Sequence, residues 1–92
     1  MRDKVAFITG GSKGIGYGIA ESLAQEGVHS VLISRSKDNA DKAAETISKK
    51  YNVKCLGIKA DVRSFSDLEN AVNETLENFG QIDYVLANAG LG

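Results

Sequence analysis

Proline is absent from the 92 residues, so no helix or strand is interrupted by one. A single cysteine, Cys55, excludes a disulfide staple within the chain and a thiolate zinc cluster. Excess charge is missing too. Eleven basic residues against twelve acidic ones give a net charge of -1, with neither a basic field for nucleic acid nor an acidic block. Long apolar runs are lacking. Met1-Arg2-Asp3-Lys4 leads straight into Val5-Ala6-Phe7-Ile8, too short for a signal-peptide core, and no later run approaches a membrane span. The remaining composition, 42% hydrophobic and 25% charged, is that of one small globular domain, expected to be soluble and cytoplasmic.

Glycine, by contrast, is concentrated: five of the ten lie between positions 10 and 18. Clustered glycine marks a backbone that turns tightly or approaches something closely. The cluster follows Val5-Ala6-Phe7-Ile8-Thr9, a nearly continuous apolar run that reads as a strand buried on both faces. After it, Ile15, Ile19, Ala20, Leu23 and Ala24 recur at helical spacing as an inward face, and Gly27 stops that helix. Val31-Leu32-Ile33 is the heart of a second strand. Asp38 is expected to cap a second helix whose stripe is Ala40, Ala43, Ala44, Ile47 and Tyr51, ending at Asn52. A third strand is expected over Val53 to Ala60. A third helix, opened by Ser64 or Ser66 in a capping-box pattern, should bury Leu68, Ala71, Val72, Thr75, Leu76 and Phe79 and end at Gly80. Ile82 to Ala87 is the fourth strand. The order βαβαβαβ predicts an α/β fold with a parallel sheet and right-handed crossovers.

The strongest functional signal is Thr9-Gly10-Gly11-Ser12-Lys13-Gly14-Ile15-Gly16, at the junction of first strand and first helix. A pyrophosphate needs free backbone N–H groups, the positive end of a helix and no side chain in the way. Glycines at 10, 14 and 16 supply the turn, the close approach and the helix–strand packing. At the tip of the second strand, Ile33-Ser34-Arg35-Ser36 carries a planar cation where an acidic residue would accept ribose hydroxyls and repel a 2′-phosphate. Lys13 reaches toward the same phosphate, and Ser34 and Ser36 add hydrogen bonds. A Walker-type phosphate loop is a poor fit, because no Gly-Lys-Ser/Thr follows the glycines.

The Gly-x3-Gly-x-Gly spacing preceded by threonine resembles the short-chain dehydrogenase/reductase family, and the resemblance runs from Lys4-Val5-Ala6-Phe7-Ile8-Thr9-Gly10 to Asn88-Ala89-Gly90. It implies a Rossmann-type sheet of order 3-2-1-4, the N-terminal half of a doubly wound fold, with residues 1–92 as the cofactor-binding half. The cofactor implied is NADP(H), held by Thr9, Gly10, Ser12, Lys13, Gly14, Ile15, Gly16, Ser34, Arg35 and Ser36. Asp61 and Val62 would meet the adenine, and Asn88, Ala89 and Gly90 the ribose side. Where the family usually shows Asn-Asn-Ala-Gly, this chain has Ala87-Asn88-Ala89-Gly90. The stretches Arg2 to Gly11, Ile33 to Ser36 and Ala60 to Arg63 resemble 2,4-dienoyl-CoA reductases. The ending is more similar to 3-oxoacyl reductases or fungal sugar and polyol reductases. A small-molecule substrate and a homo-oligomeric parent are implied, with a peroxisomal location if a C-terminal signal follows.

Catalytic and metal-binding residues are not assigned. The family's proton donor is a tyrosine with a lysine four residues on, but Tyr17 is followed there by Glu21, Tyr51 by Cys55 and Tyr84 by Asn88. The expectation is therefore cofactor binding without turnover by these 92 residues, with a non-catalytic nucleotide-binding or interaction module as the alternative. Cys55 is expected to be a buried core thiol and His29 an inert surface residue in the turn before the second strand.

Overall fold

Four short runs of β-branched and apolar residues pair in parallel, and three helices connect them. The computed structural model describes residues 3–88. The elements are β1 (Val5–Thr9), α1 (Gly14–Gln25), β2 (His29–Ser34), α2 (Lys37–Tyr51), β3 (Cys55–Lys59), α3 (Phe65–Phe79) and β4 (Tyr84–Ala87). The sheet order is β3-β2-β1-β4, as the resemblance implied. The register sets Val5 beside His29, Ser30 beside Cys55 and Ala6 beside Tyr84.

Alternation along the strands divides the core in two. Ala6, Ile8 and Leu32 face α1 and α2, where they meet Ala20, Ala24, Ala43, Ala44 and Ile47. Val5, Phe7, Val31, Ile33 and Ile58 face the other way, toward Ala71 of α3. The chain moves outward from β1 through β2 to β3 and then jumps back past β1 to β4. With crossovers of one hand, that reversal moves α3 to the opposite face from α1 and α2. Ile8, Leu32, Ile33 and Ile47 are fully buried, and each such side chain contributes about 1.5–3 kcal/mol of burial. Gly57 of β3 permits the close approach of α2: a Cβ there would lie 2.5 Å from the Ala40 carbonyl carbon.

Several local expectations are corrected. Ser36, not Asp38, caps α2: its hydroxyl accepts the Asn39 N–H at 3.2 Å, and Asp38 sits in the first turn against the helix dipole. Ser64 caps α3, but the capping box is not closed, because the Asp67 carboxylate turns to the Asp61 N–H at 2.9 Å. The third strand is shorter than expected at both ends and the fourth at its start. Ile15 is 74% exposed, since it lies in the first turn of α1 beyond the core layers. On α3 only Ala71 and Thr75 are buried, and Leu76 is exposed; the apolar stripe is wider than the helix's contact with the sheet.

His29 lies in a strand rather than in the turn before it. It opens β2, its Nδ1 accepts the Lys54 N–H at 3.0 Å, and its ring stacks on Phe79. Cys55 is half-buried, with its sulfur 3.3 Å from the Ser30 hydroxyl, and burial raises its pKa. A raised thiol pKa disfavours the nucleophilic thiolate.

Candidate functional site

The carboxyl ends of the strands converge on the beginning of α1. This is the edge at which parallel α/β sheets bind ligands, where the strand order reverses between β1 and its two neighbours. Two cross-links set the geometry there. The Thr9 hydroxyl lies 3.4 Å from the Leu86 carbonyl, toward which it donates, and accepts the Asn88 N–H at 3.0 Å, tying the end of β1 to the end of β4. The Gly10 N–H donates to the Ile33 carbonyl at 2.9 Å, carrying the pairing with β2 into the turn.

The turn depends on two backbone conditions. Gly10 (φ 68°) and Gly14 (φ 57°) are left-handed, and a Cβ on Gly14 would meet nothing within 4 Å, so the space in front of the helix is open. Gly16 is required by proximity, because a Cβ there would lie 2.4 Å from the Gly10 carbonyl oxygen and 3.0 Å from Asn88 Nδ2.

The three helices differ at their N-termini. Ser36 and Ser64 cap α2 and α3, and each first turn holds an aspartate. In α1 the N-cap Lys13 makes no side-chain capping bond and the first turn holds no acidic residue. Its first N–H groups and dipole are therefore left for an anion.

In front of this corner lies a cleft of about 440 Å³. Gly10, Ser12, Lys13, Ser34, Arg35, Ser36, Asp61, Val62 and Asn88 line it, all of them singled out in the sequence. Thr9, Gly14, Ile15 and Gly16 shape the adjoining turn rather than the cleft wall. Ala89 and Gly90 lie outside the described residues. Ile33, Asn39, Ala60 and Arg63 also line the cleft and were missed. A signal existed for Arg63, a second cation just past a strand end, as Arg35 is. Asn39 had only its place one turn into α2.

A chain of hydroxyls links the walls. Ser12 Oγ donates to Ser34 Oγ at 3.3 Å, and Ser34 Oγ accepts the Ser36 N–H at 3.1 Å. Opposite, Arg63 grips Asp61 twice: Nε donates to Oδ1 at 3.1 Å and Nη2 to Oδ2 at 2.9 Å, while the Arg63 N–H also reaches Oδ1 at 2.9 Å. These bonds, with Arg35 nearby, pull the Asp61 carboxyl down to about 2. The lining thus carries Lys13, Arg35 and Arg63 against one carboxylate that is already paired. Among the described residues no group of three His, Cys, Asp or Glu is placed to hold a metal ion, and no helix is long and apolar enough to cross a membrane.

The tyrosines stand apart from the cleft lining. Burial and then Glu21 raise the Tyr17 pKa, and the Tyr51 hydroxyl donates to Glu21 at 3.1 Å.

Residues 4–92 match the family described as short chain dehydrogenase. The chain is 42% identical over 89 residues to a peroxisomal 2,4-dienoyl-CoA reductase of Danio rerio, covering 97% of this chain and 30% of the relative. It is 41% identical over 91 residues to a sorbose reductase of Candida albicans, covering 99% of this chain and 32% of that one. Among solved structures, the L-sorbose reductase of Gluconobacter frateurii complexed with NADPH and L-sorbose superposes with a TM-score of 0.94 at 40% identity, covering 99% of this chain and 35% of that one. An NAD+-bound xylitol dehydrogenase superposes at 0.91 with 29% identity, covering 97% and 34%. The chain spans about a third of the length of the curated relatives it matches.

Proposed function

The chain belongs to the short-chain dehydrogenase family, and from that premise we propose that residues 1–92 form the NADP(H)-binding part of an oxidoreductase. The observation that carries this reading is the uncapped, acid-free N-terminus of α1 opening beside a cleft lined by Lys13 and Arg35. The residues present fit a dinucleotide. The first N–H groups of α1 suit its pyrophosphate, and Gly14 leaves the approach open. Arg35 and Lys13, with the hydroxyls of Ser12, Ser34 and Ser36, suit a 2′-phosphate. Asp61 and Val62, which line the same cleft, are proposed to meet the adenine, and Asn88 the ribose side.

NADP(H) when bound supplies a hydride for exchange with a carbonyl, alcohol or enoyl carbon. The chain's own residues bind and orient it. None of the three tyrosines has the partner lysine or lines the cleft, and Tyr17 is shifted away from neutral-pH proton transfer. The 92 residues alone should therefore bind NADPH and reduce nothing. The substrate of the parent is proposed to be a small molecule of the enoyl or polyol type, and the parent to be a homo-oligomer.

The test is the preference between NADPH and NADH, measured as dissociation constants by fluorescence titration. The wild-type chain should prefer NADPH. Arg35→Asp should narrow that preference about tenfold or more, since it removes a cation and adds repulsion. Failure to bind either dinucleotide, or an unchanged preference, would overturn the reading.

A further inference from the structure

The Asp61–Arg63 pair has a bearing on selectivity that neither residue has alone. Asp61 is the one carboxylate among the described residues lining the cleft, and it lies close enough to Arg35 for the two charges to interact. A phosphate held by Arg35 therefore also feels Asp61. Left unpaired, that carboxylate would add repulsion to a ribose 2′-phosphate held at Arg35 and so shift the balance toward the unphosphorylated dinucleotide. We infer that Arg63 is a specificity-determining residue, which by gripping both oxygens of Asp61 cancels this repulsion and so sustains the preference for the phosphorylated dinucleotide. The inference rests on the cofactor reading above.

The hydrogen-bond count supports it. A carboxylate offers about four acceptor positions. Three bonds from Arg63 are present, two on Oδ1 and one on Oδ2. One position on Oδ2 remains, enough to accept a single donor such as the adenine amino group. Arg63 thus removes the charge of Asp61 from the electrostatics of the cleft without removing its capacity to accept. The geometry is locally enforced. The Asp61 N–H is held by the Asp67 carboxylate at 2.9 Å, and its carbonyl accepts the Ser64 N–H at 2.9 Å, so the start of α3 fixes the backbone that presents the pair.

The test compares NADPH and NADH dissociation constants for the wild-type chain, Arg63→Gln, Arg63→Lys, Asp61→Asn and the double variant Asp61→Asn/Arg63→Gln. Arg63→Gln should weaken NADPH binding about fivefold and leave NADH within about twofold, as expected for one unscreened charge across water. Raising salt to about 1 M should erase most of that difference, because the Debye length falls to about 3 Å. The double variant should recover the wild-type preference, since the carboxylate that Arg63 answered is gone. Arg63→Lys should retain most of it by keeping the charge.

An unchanged preference in Arg63→Gln overturns the inference and leaves an ordinary surface ion pair, visible only as a small change in stability. A lost preference that Asp61→Asn does not restore also overturns it, because Arg63 would then act on the phosphate directly. These outcomes are separable from failure of the cofactor reading. That reading fails if the wild type binds neither dinucleotide or if Arg35→Asp changes nothing, and the inference falls with it. An inert Arg63→Gln beside an effective Arg35→Asp defeats the inference alone.

Discussion

Gly16 and Gly18 lie two residues apart on α1, and the same substitution should act on them with opposite sign. A Cβ on Gly16 would sit 2.4 Å from the Gly10 carbonyl oxygen, inside the 3.0 Å that such contacts respect, and 3.0 Å from Asn88 Nδ2. The obstructing oxygen is backbone, on a residue whose N–H is tied to the Ile33 carbonyl, and has no rotamer to move into. Relief requires α1 to retreat from the end of β1, and a clash this deep with backbone belongs in the upper part of the usual overpacking range, about 2–3 kcal/mol. That exceeds the gain of up to about 1 kcal/mol from replacing a helical glycine by alanine. For a domain this small, each kcal/mol shifts Tm by about 4–8 °C. Gly16→Ala should therefore lower Tm by about 4–15 °C. At Gly18 a Cβ meets nothing within 4 Å, so Gly18→Ala collects only the helix term and should raise Tm by a few degrees. Thermal unfolding followed by circular dichroism reads both variants directly. A Gly16→Ala chain as stable as the wild type would refute the argument that close approach demands glycine there. A destabilised Gly18→Ala would refute the assignment of that position to open space.

Two further outcomes follow from the same reasoning. Gly57→Ala would place its Cβ 2.5 Å from the Ala40 carbonyl carbon and 2.8 Å from the Asp41 nitrogen, so urea unfolding should show a loss of about 1–3 kcal/mol as α2 is pushed off β3; a change below about 0.5 kcal/mol would contradict it. Acid should unfold the chain through its depressed carboxyls. Asp61 is lowered from 3.8 to about 2, chiefly by Arg63, and Asp83 is lowered chiefly by the Val5 N–H that it accepts at 2.8 Å. Each folded-state value lies below the unfolded one, so their stabilisation is complete above about pH 4 and is lost as pH falls toward 2. Denaturation midpoints measured across that window should decline, and the Asp61→Asn/Asp83→Asn variant should decline less; equal slopes would exclude both groups as the source.

Much of this molecule is legible in its sequence. The alternation of short apolar strands with helical stripes specified seven elements in order, because side-chain period is a property of contiguous residues. The turn from Thr9 to Gly16 was legible for a similar reason: Gly10 and Gly14 act through their own φ angles, and the glycines sit together at a strand–helix junction. Arg35 and Lys13 stood out as cations at strand and turn tips, and both line the cleft. Less legible were the margins. Ser36 and Asp38 both have capping chemistry, and only the backbone at Ser36, extended at φ -106°, ψ 115°, decides between them.

The succession of elements and the chemistry available at each strand tip are encoded within windows of a few residues. Which tips face one another is a matter of the folded chain. The Thr9 hydroxyl meets Leu86 and Asn88, Gly16 is pressed between Gly10 and Asn88, and Val5 is held by Asp83, across separations of up to 79 residues. The pairing of Asp61 with Arg63 spans two residues, yet its meaning depends on Arg35 arriving from another strand. Contacts of that kind follow from sheet order and register. These are settled by the collective packing of both faces and are written in no single stretch of the chain.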